Sequence, residues 1–240
     1  MNTVHGVNIE DKMSNLEKTK QYFEKNPEHL KHAKEAYILL YENSGKKISP
    51  HISGTVLDIG SGGIINYNSA KAEKLVLIDI SVANKENAVK NIFFVNSNVK
   101  QLGLKRGIAN SIIIQHVLHH LAEDTRKKSE ESLANSIHEI SSALKKGGKL
   151  IIIEGVVPYS LEIIQKILFP LNKILYQILF NFPMVLQYSQ KTIIKQVQQH
   201  GLNIESIELI DDGNVLPIFG MNLPRKYIPL KHLCIIARKE

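Results

Sequence analysis

Apolar residues along this chain fall into two patterns. Short unbroken runs, Thr55–Ile59, Leu75–Ile80, Ile92–Val95, Ser111–Gln115 and Leu150–Ile153, are dominated by Val, Ile and Leu. Around them lie longer stretches in which apolar residues recur every three or four positions among charged ones, as on one face of a helix. Alternation of the two predicts parallel strands buried on both faces, joined by helical right-handed crossovers. The expected fold class is therefore α/β, a doubly wound sheet.

Helix is predicted from Asp11 to Asn43. Asn26-Pro27 divides it, because a residue before proline avoids the α region. The second piece puts Leu30, Lys34, Tyr37 and Tyr41 on one stripe, and Gly45 and Pro50 end it. Ser81 is the predicted cap of a helix through Lys90. Ser129–Leu144 reads as a helix stopped by Gly147-Gly148. Leu161–Phe182 and Thr192–His200 read as helices, the latter closed by Gly201. Ile204–Ile210 and His232–Ala237 are closing strands, compatible with an antiparallel edge pair.

Size and composition narrow the picture. A chain of 240 residues suits one α/β domain with a sizeable core, and 43% hydrophobic residues exclude a disordered chain. Cys234 is the single cysteine, so no internal disulfide forms and a reducing cytoplasm is the expected location. Met1 to Asn15 is polar and lacks the apolar run of a secretory signal. The net charge of +7 comes from lysines interspersed with acids, without zinc-finger spacing or an aromatic-rich basic segment. No nucleic-acid partner is expected. Ser160–Leu186 is strongly apolar, but Glu162, Lys166 and Lys173 interrupt it and Pro170 and Pro183 break a helix, so no transmembrane segment is expected.

The chemistry begins at Asp58-Ile59-Gly60-Ser61-Gly62-Gly63, where the first run ends in a glycine turn. Glycine there permits positive φ and lets a ligand approach the backbone. Alone the motif is weak, since a plain strand–helix turn needs glycine too. Asp79 stands 21 residues after Asp58, at the end of the second run. A carboxylate so placed accepts hydrogen bonds from ribose hydroxyls. The pair points to a nucleoside cofactor. Dinucleotide sites seat a pyrophosphate at such a turn, which Asp58 would repel. A methionine-type ammonium would be attracted, so the charge favours S-adenosylmethionine (SAM) over NAD.

Four ordered segments carry a family resemblance: Val56-Leu57-Asp58-Ile59-Gly60-Ser61-Gly62-Gly63, Leu77-Ile78-Asp79-Ile80-Ser81, Gln115-His116-Val117-Leu118-His119-His120-Leu121, and Leu144-Lys145-Lys146-Gly147-Gly148-Lys149-Leu150. Together they resemble the motifs of class I SAM-dependent methyltransferases, in particular the small-molecule, UbiE-like subgroup. The resemblance spans Thr55 to Glu154 and continues weakly over Thr192 to Ile207. It implies a Rossmann-like, mostly parallel seven-stranded sheet with an antiparallel last strand and a helical lid. The lid would be residues 1–50, and residues 51–240 the SAM-binding domain with an apolar cap insert at about 158–190. Gly60, Ser61 and Gly62 would line the methionine part of the cofactor, with Asp58 near its ammonium. Asp79 would bind the ribose, Ile80 would pack on the adenine, and Asn98 stands where an acid often meets the adenine amino group. Gln115 and His116 would lie near the methionine moiety and the methyl-transfer face. The chain departs from the family at Ile64 (usually Gly), at Ala109-Asn110 (usually Phe-Asp), and in an unusually polar helix near Asn66-Tyr67-Asn68.

Methyl transfer from a sulfonium needs alignment of the nucleophile, and a general base only for a weakly acidic one. Among His116, His119 and His120, which the sequence sets at a helix start, His116 is the candidate base. The histidines lack the partners of a zinc site, and no metal is expected. The insert carries Ile163, Ile164, Ile167, Leu168, Leu171, Ile174, Leu175, Ile178, Leu179 and Phe180, more apolar surface than a solvated helix requires. It is read as an acceptor pocket, a homodimer interface, or a face buried on the lid. The acceptor is then a small hydrophobic or aromatic molecule, with Tyr22, Tyr37, Tyr41, Tyr159 and Tyr188 as candidate contacts and S-adenosylhomocysteine (SAH) as coproduct. The competing readings are an RNA or protein methyltransferase and a non-catalytic ligand-binding relative.

Overall fold

The computed structural model describes residues 13–81, 91–180, 182–218 and 221–240. The expected helix Ser81–Lys90, the residue Asp11 and the side chains of Leu30, Ile178, Leu179 and Phe180 lie outside the described part.

Seven strands form one sheet: β1 (Gly54–Ile59), β2 (Ala72–Asp79), β3 (Ile92–Asn96), β4 (Ala109–Gln115), β5 (Leu144–Val156), β6 (Leu202–Leu209) and β9 (Lys231–Lys239). Their order is β3-β2-β1-β4-β5-β9-β6. β9 runs antiparallel to both its neighbours and the other strands run parallel. The fold is thus the doubly wound, Rossmann-like α/β sheet the sequence predicts. A hairpin of β7 (Val215–Ile218) and β8 (Met221–Pro224) fills the connection between β6 and β9. The strands are apolar on both sides because both sheet faces are covered. On one face Leu57, Ile59, Ile112, Ile114 and Ile152 pack with Leu133, Ile137 and Ile140 of α4 (Arg126–Ala143) and with Ile193 and Val197 of α7 (Gln190–Gln199). On the other, Val56, Leu75, Leu77, Ile113, Ile151 and Ile153 pack with Leu40 and Ile48 of α3 (Ile38–Ile48).

Three sequence expectations fail for local physical reasons. First, the segment between β1 and β2 forms no helix. α3 covers that face instead, and its surroundings explain the polar residues: Asn66 donates to the Tyr41 carbonyl at 2.7 Å, and Asn68 N–H donates to Ser49 Oγ at 3.0 Å. Second, Gly45 does not end the leader. It lies inside α3, where a β-carbon would fall 1.9 Å from the Asn66 carbonyl oxygen, so its bareness lets the loop approach. Third, Gly147-Gly148 does not stop α4. The helix ends at Ala143, and the glycines lie in a bulge of β5, since Ala109 pairs Leu144 whereas Ser111 pairs Lys149.

The leader is three helices: α1 (Asn15–Lys25), α2 (Glu28–Ala36) and α3. It breaks at Asn26-Pro27 as expected and again at Tyr37. Ser14 and Glu17 form a capping box on α1. The insert is also two helices, α5 (Tyr159–Ile167) and α6 (Phe169–Phe180), with Pro170 in the first turn of α6, where its missing N–H costs nothing. Its charges are anchors. Glu162 is buried, accepts the Ser189 N–H at 2.8 Å at the start of α7, and pairs with Lys166 at 2.8 Å. Lys173 pairs with Asp124 at 2.9 Å. Ile164, Ile167, Leu171 and Ile174 are about half exposed or more, so this face of the insert is not buried on the leader. Among the described residues, no helix is long and apolar enough to cross a membrane.

Candidate functional site

A cavity of about 1180 Å³ opens where β1, β2 and β4 end and β9 begins, the end of the sheet at which doubly wound folds bind ligands. Its floor is the glycine turn after β1. Gly60 has φ +74 and Gly62 φ +55. A β-carbon on Gly60 would lie 2.3 Å from Val117 Cγ2, so both backbone angle and space demand glycine. Ile64 is accommodated because its N–H closes the turn onto the Ser61 carbonyl at 2.9 Å.

Asp58, at 2% exposure, accepts a hydrogen bond from Tyr67 Oη at 2.7 Å. Burial pushes its carboxyl up to about 7, although the Tyr67 bond pulls the other way. Asp79 accepts the N–H groups of Gly62 and Ser81, each at 2.9 Å, which bind the carboxylate to the turn. Burial still raises it above the ordinary range. Asn98 receives the Lys100 N–H at 3.0 Å on its Oδ1. Gln115 and His116 follow at the end of β4. Gln115 Nε2 and His116 Nε2 are buried and find no partner among the described residues. His116 has φ +55, rare for a residue with a side chain, so it stands in a strained turn rather than at a helix start. The chain then enters one turn of 3-10 helix, Leu118–Leu121.

Asp58, Gly60, Ser61, Gly62, Asp79, Ile80, Asn98, Gln115 and His116 all line this one cavity. Of the five tyrosines only Tyr37 and Tyr41 do so. Tyr22 stands behind the lining, edge-on to Phe182 at 4.6 Å and 3.2 Å from His29 Nδ1. Tyr159 is 47% exposed beneath Lys191. Tyr188 is packed in the core. These three are not cavity contacts, because the sequence does not reveal which side of the leader and of the insert faces inward. The sequence passed over Tyr67, Glu154, Asp212 and His232. Glu154 accepts the N–H groups of Leu118 and Gly155 and meets His119 Nδ1 at 2.8 Å. None of the four sits in a local pattern that pairs it with its partner, which only the fold supplies.

Residues 57–152 match the profile of the family described as "Methyltransferase domain". These residues form a methyltransferase domain, and the sheet that carries them has the fold of class I SAM-dependent methyltransferases. No curated protein matches the sequence. Solved structures share the fold of the methyltransferase at low identity. One is a chain of the complex between the Haloferax volcanii Trm112 methyltransferase activator and a methyltransferase, with TM-score 0.66, 12% identity, and 92% of this chain and 96% of that one covered. Another is the 1,6-didemethyltoxoflavin-N1-methyltransferase of Burkholderia thailandensis, with its named substrate and SAH bound, at TM-score 0.60, 11% identity and coverages of 100% and 93%. A third is the YcgJ protein of Bacillus subtilis, at TM-score 0.60, 14% identity and coverages of 83% and 99%.

The donor set fits SAM, the cofactor of the family. Asp58 and Asp79 are acceptors suited to an ammonium and to ribose hydroxyls. The partnerless Gln115 and His116 nitrogens offer polar contacts along the same wall.

Proposed function

We propose that this methyltransferase acts on a small hydrophobic or aromatic molecule, held in the cavity beside the cofactor. The cavity itself is the supporting observation. At about 1180 Å³ it exceeds what one small ligand usually occupies, leaving room for two. Its polar part is the strand-end wall. Its other part is apolar and aromatic, from Leu16 and Phe23 of α1, His29 of α2, Leu161 of α5, and Tyr176 and Phe182 at the end of the insert. An acceptor reaching the strand ends must pass among these side chains. The leader thereby serves as a lid, and the insert as the second jaw. The bound small molecule of the Burkholderia thailandensis enzyme is in keeping with this reading.

The cofactor supplies a sulfonium-activated methyl group when bound. Asp58 would hold its ammonium, Asp79 its ribose, and Ile80 and Asn98 the adenine side. The aromatic end would orient the acceptor, which is most of what such a displacement requires.

The test is transfer of labelled methyl from SAM into a cell extract, separated into solvent-extractable small molecules and macromolecules. Label in the extractable fraction, absent with Asp79→Ala, supports the reading. Label confined to RNA or protein, or no transfer by protein that binds SAH, overturns it.

A further inference from the structure

His232 is the second residue of β9 and lines the same cavity. Its Nδ1 lies 2.6 Å from Asp212 Oδ2. The other oxygen of Asp212 accepts Arg225 Nε at 2.7 Å, and Arg225 Nη1 donates to the Ile228 carbonyl at 2.9 Å. The carboxylate is thus clamped from two sides. A carboxylate only accepts, so Nδ1 carries the proton of the neutral ring and Nε2 presents a lone pair. No described residue holds that Nε2. Gly155 pairs with His232 across the sheet, and a β-carbon there would come within 3.1 Å of Leu230 and 3.4 Å of Nε2. Glycine at this position leaves the lone pair open.

Building on the small-acceptor reading, we propose that His232 is the general base of methyl transfer and Asp212 its positioning residue. The acceptor's O–H or N–H bond breaks and its proton passes to His232 Nε2. The acceptor lone pair forms the bond to the methyl carbon as the carbon–sulfur bond breaks, its electron pair remaining on the sulfur of SAH. The positive charge that was on the sulfonium ends on the imidazolium, next to Asp212.

The other histidines are less suited. His116 touches His232 edge-on, with ring centres 5.5 Å apart, but no carboxylate among the described residues bonds to it. Burial pushes it down to about 3, so it resists taking a proton. His119 has Glu154, yet that carboxylate also holds the backbone N–H of Leu118 in the turn after β4 and that of Gly155 in β5, and is committed to structure. Burial opposes the charge on Asp212, but the bonds from His232 and Arg225 outweigh it and hold its carboxyl below the usual range. Among the described residues, the charged or titratable groups facing His232 are Asp212 and, through it, Arg225, together with His116, behind which stands Tyr41 of α3.

The experiment has two readouts. Long-range proton–nitrogen NMR on histidine-labelled protein, with and without SAH, reports the tautomer. The neutral ring of His232 should show protonated Nδ1 and bare Nε2, a preference lost in Asp212→Asn. A neutral ring in the wild type that carries its proton on Nε2 instead of Nδ1 overturns the proposal whatever the acceptor. Methyl transfer to the labelled fraction found above gives the second readout. His232→Gln should lower kcat about 100-fold, with SAH affinity within about two-fold by calorimetry. His116→Gln and His119→Gln should cost less. Undiminished transfer by His232→Gln, or a larger loss in His119→Gln, overturns the assignment. If label enters macromolecules only, the acceptor reading falls, and the same comparison on that fraction decides the base.

Discussion

Asp58 is a binding residue whose charge the protein controls through burial. With its carboxyl raised to about 7, it changes charge near neutrality. A cofactor ammonium is attracted only to the ionised form, so SAH affinity should rise as pH climbs through about 7 and level off above it. Calorimetric titrations from pH 5.5 to 8.5 check this, and Asp58→Asn should bind more weakly with a flat profile. Tyr67→Phe removes a bond that favours ionisation and should move the midpoint upward. Stability has the opposite sign. The folded state binds this proton more tightly than the unfolded chain, so stability falls as pH rises from the ordinary aspartate value of 3.8 towards 7. Asp58→Asn should therefore gain stability relative to wild type between pH 4 and pH 8, by on the order of 2–4 kcal/mol. A variant that melts higher yet binds less is the signature of a strained binding residue. Asp79 already has two N–H partners of its own. Asp79→Ala should lose at least about ten-fold in SAH affinity, the effect of about 1.4 kcal/mol, and should also loosen the turn it holds.

Between elements, single polar side chains carry much of the assembly. Asn15 at the start of α1 is 4% exposed, and donates to the carbonyls of Ala122 at 2.7 Å and Met184 at 2.9 Å while accepting the Met184 N–H at 3.0 Å. It binds the leader both to the segment after β4 and to the chain returning from the insert. Asn15→Ala strands buried backbone groups and should cost about 2–3 kcal/mol in chemical denaturation, with an accompanying loss of SAH affinity. Gly45→Ala forces a methyl against the Asn66 carbonyl and should cost about 3 kcal/mol. These contacts also mark where sequence reading stops. β1, β4 and β5 are legible because buried parallel strands must be continuous apolar runs. The cofactor wall is legible because glycine turn and carboxylate recur at a fixed spacing along one chain segment. Gly45, Asn15 and Asn66 have meaning only across long separations. Asp212 and His232, 20 residues apart on two sides of a hairpin, carry no local pattern that pairs them. The second break in the leader at Tyr37 has no sequence signal stronger than the uninterrupted helical spacing around it, whereas Pro170 in the first turn of α6 marks the division of the insert at Leu168.

At the scale of the molecule the two faces of the sheet have different tasks. α4 and α7 cover one face with closely packed Leu133, Ile137, Ile140, Ile193 and Val197, and neither contributes to the cavity. The leader, the turn after β4 and the chain from Val157 to Gln187 all do. Ligand occupancy should therefore be felt on one side only. Core strands exchange their amide hydrogens only through global opening, whereas segments with few buried apolar contacts open locally at lower cost. α2 has no buried side chain among its described residues, and much of α6 is exposed, so both belong to the second class. A ligand that bridges the leader and the insert must add its binding free energy to their closed form. Hydrogen exchange followed by mass spectrometry should show SAH slowing α1–α3 and the chain from 157 to 187, while α4 and α7 stay unchanged. In Asn15→Ala, where the leader is no longer tied to Met184, protection at saturating SAH should remain in the glycine turn and fall away in α1. Equal slowing of α4 and α7 would mean that the cofactor stabilises the fold as a whole, and that the leader is a fixed wall rather than a jaw that closes.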